Sequence, residues 1–208
     1  AVNAHGVANL AQAAQKVGSR LIHISTDYVF SGNTDKPYTY LDAPNPSNVY
    51  GKSKLAGELL ALSLCDKTTI VRTSWVFSEH GRNFVPAVIN KLLDNQTVEI
   101  YENNIGTPTY AGALADYIIE LAEIQNLAKI VHYCSGVVLN RMELAQRISS
   151  QLFLLTGVEY ALQQHNSSLK SVRPAYSALK SSSKEMPSTS LDSILDNQLL
   201  HIATILNV

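Results

Sequence analysis

The sequence predicts an α/β protein in which a mostly parallel, doubly wound sheet is joined to a smaller C-terminal region. Short β-branched apolar runs alternate with stretches of helical periodicity, each run is too short to be a helix, and polar loops rich in glycine and proline separate them. Alternation of this kind places helices on both faces of the sheet. Ligand-binding loops then gather outside the carboxyl ends of the strands.

Val7, Leu10, Ala14 and Val17 recur at helical spacing and Gly18 follows as a left-handed stop, so residues 2–17 read as a helix. The run 20–25 (Arg-Leu-Ile-His-Ile-Ser) suits a buried parallel strand. A loop carrying Gly32, Pro37, Pro44 and Pro46 leads to a second helix over residues 48–64, with Leu55, Leu59 and Leu62 on one face. Residues 68–73 form the next strand and 83–93 the next helix, where Pro86 is tolerated near the first turn. A strand at 97–100, a helix at 111–123, a strand at 129–134 and a helix at 140–153 opened by an Asn140 cap complete the alternation. Serine, lysine and proline then crowd residues 167–187 before a last apolar helix near 191–206.

With 208 residues, 46% of them hydrophobic, the chain can bury a core without staples. No apolar run reaches the ~18 residues that a membrane span requires, so a soluble, cytoplasmic protein without a membrane partner is expected. Sixteen basic residues against seventeen acidic ones argue against nucleic acid as a partner. Cys65 and Cys134 share no CxxC pattern and no Cys/His cluster, so they read as small buried hydrophobes and no metal site is expected.

An open α/β sheet that begins on a helix lacks its first strand, which in nucleotide-binding versions leads into the phosphate-binding glycines. Neither GxGxxG nor GxxxxGK[ST] occurs here. Either the fold binds no dinucleotide, or the chain is a fragment without its N-terminal units. A fragment of that kind should bind dinucleotide poorly and, through an exposed sheet edge or apolar face, self-associate or be poorly soluble.

Tyr50 and Lys54 lie one helical turn apart on one face. A phenol ionises near ~10, and an adjacent ammonium brings it toward the range useful for proton transfer at neutral pH. The spacing alone is common, since Tyr176 and Lys180 share it. Context separates the pairs: Thr26 ends a predicted strand upstream of Tyr50, where active-site groups collect, and Tyr176 has no such hydroxyl. A hydroxyl at position 26 can donate to a carbonyl while the phenol delivers its proton, two hydrogen bonds that strengthen as an alkoxide develops.

Thr26, Tyr50 and Lys54 resemble the Ser/Thr–Tyr–Lys triad of extended short-chain dehydrogenases/reductases. The stretches HISTDYVF (23–30), VYGKSKLAGE (49–58), RTSWVF (72–77), NIGTPTYAG (104–112) and RPAY (173–176) are similar, in order, to the dTDP-4-dehydrorhamnose reductase family. The resemblance implies a partial Rossmann-like fold. Residues 1–80 and 108–135 would form the dinucleotide-binding portion, with 81–107 and 136–208 binding substrate. It also implies reduction of the C4 ketone of a dTDP-sugar, dTDP-4-dehydro-L-rhamnose, by NADPH (or NADH), in a full-length homodimer.

Carried across residue by residue, Tyr50 is the acid and Thr26 the carbonyl donor. Lys54 lowers the pKa of the tyrosine and bonds the nicotinamide ribose, with Ser25 and Thr73 beside the cofactor. Trp75, Asn83, Thr107 and Arg173 would line the sugar-nucleotide cleft. Trp75 is either a core residue or a platform for the deoxysugar ring. Arg173 is either half of a structural ion pair or, through its bidentate fork, a diphosphate ligand. Asn3 either orders the active-site network or is an ordinary polar helix residue.

Sugar-nucleotide 4,6-dehydratases resemble one another in an Asp-Glu pair after the strand-end threonine. Here Asp27 is followed by Tyr28, so elimination of water lacks its base and carbonyl reduction is favoured. The family usually has Gln where Asn104 stands and Glu where Tyr40 stands, departures that bear on substrate identity. Two alternatives use the same fold. One is a non-catalytic regulatory subunit like the β subunit of methionine adenosyltransferase, and the other is a reductase or epimerase of another nucleotide sugar.

Overall fold

The computed structural model describes residues 1–100, 104–164, 172–182 and 191–197. Val2–Gly6 winds as a π turn into α1 (Val7–Lys16), which Gly18 stops at φ +69°. There follow β1 (Leu21–Thr26), α2 (Val49–Leu64), β2 (Thr68–Thr73) and β3 (Val76–Phe77). Asn83 caps α3 (Phe84–Leu93), and β4 (Val98–Ile100), β5 (Ile105–Gly106) and β6 (Thr109–Tyr110) lead into α4 (Ala111–Glu123). The chain continues through β7 (Ile130–His132), β8 (Leu139–Asn140), α5 (Arg141–Thr156) and β9 (Leu162–Gln164). A reciprocal cap between Asn140 and Glu143 opens α5, which runs on to Thr156 because the left-handed stop is Gly157 at φ +69°. The expected last helix is present over 191–197, and the remainder of that expectation lies outside the described residues. No helix among the described residues is long and apolar enough to cross a membrane.

The central sheet is parallel, ordered β1-β2-β7. On one face Val7, Ala11, Ala61, Cys65 and Ile70 join α1 and α2 to the strands, and on the other Val71, Leu114, Leu121, Val131 and Tyr133 join α4 to them. That is the doubly wound α/β arrangement. A separate apolar cluster, including Ile89, Leu92, Leu144, Ile148 and Leu195, binds α3, α5 and the 191–197 helix around β4.

The helical stripes expected from spacing are only partly used. Leu10, Val17 and Leu59 are exposed, because α1 and α2 meet through small residues rather than through leucines. A Cβ at Gly57 would stand 2.1 Å from the Asn3 carbonyl oxygen, and one at Gly51 would stand 2.0 Å from that of Tyr28. Only glycine permits either approach; Gly51 seats α2 against the chain just after β1, and Gly57 seats it against the π turn before α1.

Ser25, Arg72 and His132 are lateral neighbours across the three strands. Arg72 donates to Glu58 of α2 through Nε (3.0 Å) and Nη2 (2.7 Å), and both side chains are almost wholly buried. The guanidinium also lies 5.1 Å from the centre of the Phe30 ring. Both cysteines are buried and unpaired.

Removing one partner of a buried ion pair leaves an uncompensated charge, so Arg72→Met should cost about 3–5 kcal/mol in urea unfolding. Adding Glu58→Met should restore most of it. Equal stability of the single variant and the parent would show that the pair does not hold α2.

Candidate active site

β1 delivers Thr26 to the sheet's carboxyl end, where the chain turns through a short 3-10 segment, Asp27–Val29. Thr26 Oγ1 accepts from the Tyr28 backbone amide (3.2 Å) and donates to Asp27 Oδ1 (2.9 Å). Ser177 donates to the other carboxylate oxygen at 2.5 Å. Asp27 is buried, and burial pushes its carboxyl up to about 6, against the pull of the Ser177 and Thr26 hydrogen bonds.

Asn48 caps α2 by accepting from the Gly51 amide at 2.8 Å, which fixes Tyr50 in the first turn. The Tyr50 side chain is half exposed, and the Tyr28 ring meets it edge-on at 5.9 Å. Lys54 Nζ donates to the Ile24 carbonyl at 2.6 Å, tying the ammonium to the end of β1. Burial lowers its pKa, and the Glu58 charge opposes that shift. Asn3 donates to Ser53 Oγ (3.1 Å), which donates to the Tyr50 carbonyl (2.8 Å), so Asn3 braces the backbone that carries Tyr50. Ser25 Oγ is buried with no hydrogen-bond partner among the described residues.

Tyr50, Tyr28 and Arg173 line one cleft of about 680 Å³, together with Asn48, Val49 and Lys52. Arg173 is carried there by a segment pinned on both sides. Asn104 donates to the Pro174 carbonyl, the Ile105 amide to that of Ala175, and the Lys180 amide to that of Tyr38. Arg173 is exposed.

The remaining sequence candidates lie in the walls. Thr73 donates to Thr109 Oγ1 (3.1 Å), and fully buried Thr107 bonds Ser74 Oγ (2.7 Å) and accepts from the Leu179 amide (3.2 Å). Asn83 accepts from the Val85 amide and donates to the Ser78 and His80 carbonyls, a capping task that occupies both ends of its amide. Trp75 adopts φ +46°, a left-handed conformation that costs a bulky residue roughly 1–3 kcal/mol. Its indole packs where a Cβ on Gly106 would come within 2.4 Å, and the Arg141 guanidinium stacks 3.6 Å from its ring centre.

Two participants have no counterpart among the sequence candidates. Ser177 meets Asp27 from 150 residues away, a pairing that no local pattern announces. Arg141 did leave a signal: it stands in the first turn of α5, where the positive end of a helix disfavours a cation.

Because burial raises the folded-state pKa of Asp27 from 3.8 to about 6, the folded protein holds that proton more tightly than the unfolded chain. Its stabilising contribution is present below pH 4 and is lost as pH rises past 6. His23 and His132, both lowered by burial to about 4, act in the opposite sense, losing stability as pH falls below 6.5. The difference in unfolding free energy between the parent and Asp27→Asn isolates the aspartate. It should fall by on the order of 2–3 kcal/mol between pH 4 and pH 7, and a flat difference would contradict the buried-acid assignment.

Comparison with known proteins gives the following. The profile of the RmlD substrate binding domain matches residues 1–194. A dTDP-4-dehydrorhamnose reductase of Aggregatibacter actinomycetemcomitans is 42% identical over 132 residues, 64% of this chain and 45% of that protein. One from Mycobacterium tuberculosis is 35% identical over 190 residues, 87% of this chain and 61% of that protein. The chain thus spans about half to three fifths of the length of these relatives. The crystal structure of dTDP-4-dehydrorhamnose reductase from Bacillus anthracis in complex with NADP aligns with a TM-score of 0.85 at 30% identity, covering 96% of this chain and 72% of that one.

Proposed function

Because the chain belongs to the RmlD substrate binding domain family, we propose that it forms the catalytic and substrate-binding part of an NADPH-dependent dTDP-4-dehydrorhamnose reductase. The observation that carries this reading is the seating of Tyr50 and Lys54 on α2 against the end of β1, with Lys54 bonded to the Ile24 carbonyl two residues before Thr26. Residues 1–80 and 108–135 serve the cofactor, and 81–107 and 136–208 the sugar nucleotide. A cytoplasmic, homodimeric holoenzyme belongs to the same reading.

The residues present fit a nicotinamide cofactor in one specific respect: Ser25 Oγ is buried and, among the described residues, unpartnered, one residue after the Ile24 carbonyl that Lys54 bonds, and the ammonium has protons beyond the one given to Ile24. Lys54 would bond the ribose hydroxyls and Ser25 would face the ring. Bound NADPH supplies the hydride that reduces C4. Tyr50 hands its phenolic proton to the C4 oxygen. Thr26 steadies the same oxygen once its hydroxyl turns from Asp27 toward substrate. With both Asp27 oxygens engaged by Thr26 and Ser177, and no glutamate after it, reduction without elimination is the chemistry that suits the site.

In the full-length polypeptide carrying this chain, Tyr50→Phe should slow NADPH oxidation with dTDP-4-dehydrorhamnose by about 10²–10⁴-fold, and Lys54→Met should shift the pH profile as well as the rate. Unslowed turnover by Tyr50→Phe would remove the phenol from the mechanism. Absence of turnover in the parent, together with tight binding to a partner enzyme, would favour the regulatory-subunit reading.

A further inference from the structure

The Asp27 carboxylate takes side-chain hydrogen bonds from two hydroxyls, one on each oxygen. Thr26 donates to Oδ1 at 2.9 Å and Ser177 to Oδ2 at 2.5 Å. All three residues are buried, with Ser177 only 2% exposed. Its carboxyl is pushed by burial to about 6, so at about pH 8 Asp27 is ionised and can only accept.

The reduction described above asks Thr26 to turn its hydrogen from Asp27 toward substrate. The Thr26 oxygen need not move, because the Tyr28 amide holds it at 3.2 Å. The cost lies on Asp27, since a buried carboxylate oxygen stripped of its donor is unfavourable. Ser177 is the side-chain donor that remains. Its alternative acceptor, the Ile105 carbonyl, is 3.5 Å from Oγ, at the limit of a hydrogen bond. Its backbone is fixed as well, with the Ser177 amide donating to the Ile105 carbonyl at 2.7 Å and the Ile105 amide donating to that of Ala175 at 2.8 Å.

The segment that carries Ser177 also reaches the support of Tyr50. Asn48, whose Oδ1 caps α2, donates through Nδ2 to the Val172 carbonyl at 3.1 Å. Arg173 stands between these two ties, in the wall of the cleft. One stretch of chain is thus bonded to the neighbours of both the hydroxyl and the phenol.

We propose that Ser177 is a positioning residue of the reduction: it keeps a donor on the Asp27 carboxylate, so that Thr26 is free to give its hydrogen to the substrate oxygen as negative charge develops there. This rests on the reductase reading and assigns a task to a residue outside the triad. Without Ser177, Thr26 becomes the last side-chain donor to Asp27 among the described residues and is retained by it. The loss then falls on the chemical step rather than on binding.

The test is steady-state reduction of dTDP-4-dehydrorhamnose, at that pH, by the full-length polypeptide carrying this chain. Ser177→Ala should lower kcat about tenfold while KM stays within about twofold. In a Thr26→Val background, which has no hydroxyl to release, the same change should cost little more. Thermal melts confirm that the variants are folded, and Ser177→Cys, which keeps only a weak donor, carries the same comparison should the alanine variant unfold. Equal rate losses in the two backgrounds, or a loss confined to KM, overturn the inference and leave the reductase reading standing. An inactive parent overturns both.

Discussion

The close approach of α2 to the carboxyl end of β1 is the constraint on which the site depends. Two glycines six residues apart let the helix backbone come against the carbonyls of Tyr28 and Asn3, and no other residue fits at either point. That contact sets the height of Tyr50 above Thr26 and brings Lys54 within bonding distance of Ile24. The apolar stripe of the helix is secondary. Leu59 faces outward, and what α2 buries besides glycine and alanine is Glu58, locked on Arg72.

Charge is distributed through the interior with unusual economy of partners. Asp27 is buried with hydroxyls rather than cations at its oxygens, and half-buried Arg141 has rings rather than carboxylates of the described residues at its guanidinium. The two attract across a gap wider than an ion pair. A pair that closed would be a structural salt bridge and chemically inert.

Much of this was legible in the sequence, because parallel strands and capped helices leave local marks. β-branched runs bounded by turns gave β1, β2 and β7, and the asparagines at 48, 83 and 140 mark three helix starts through a purely local hydrogen bond. The Tyr50–Lys54 pair was legible because it sits within one turn. Packing that depends on distance was not. Periodicity assigned Leu10, Val17 and Leu59 to buried faces, but the glycine-mediated contact turns the helices so that smaller residues meet. Asn83 and Thr107 lie in segments that match the family, yet their polar atoms hold a helix start and a loop. Ser177 could not be linked to Asp27 by any pattern, since that pairing exists only after the 172–182 segment has threaded past Tyr38 and Ile105.

The lateral row of Ser25, Arg72 and His132 also makes the sheet self-correcting during assembly. Side chains alternate strictly along a strand, so sliding β2 by a single residue would turn Arg72 away from Glu58 and into the opposite, largely apolar layer of Leu114, Leu121 and Val131. Aliphatic strands tolerate such misalignment cheaply, whereas a guanidinium stranded in hydrocarbon does not. A single charged residue thereby acts as a ratchet, rejecting off-by-one pairings that valines and isoleucines alone would leave nearly isoenergetic.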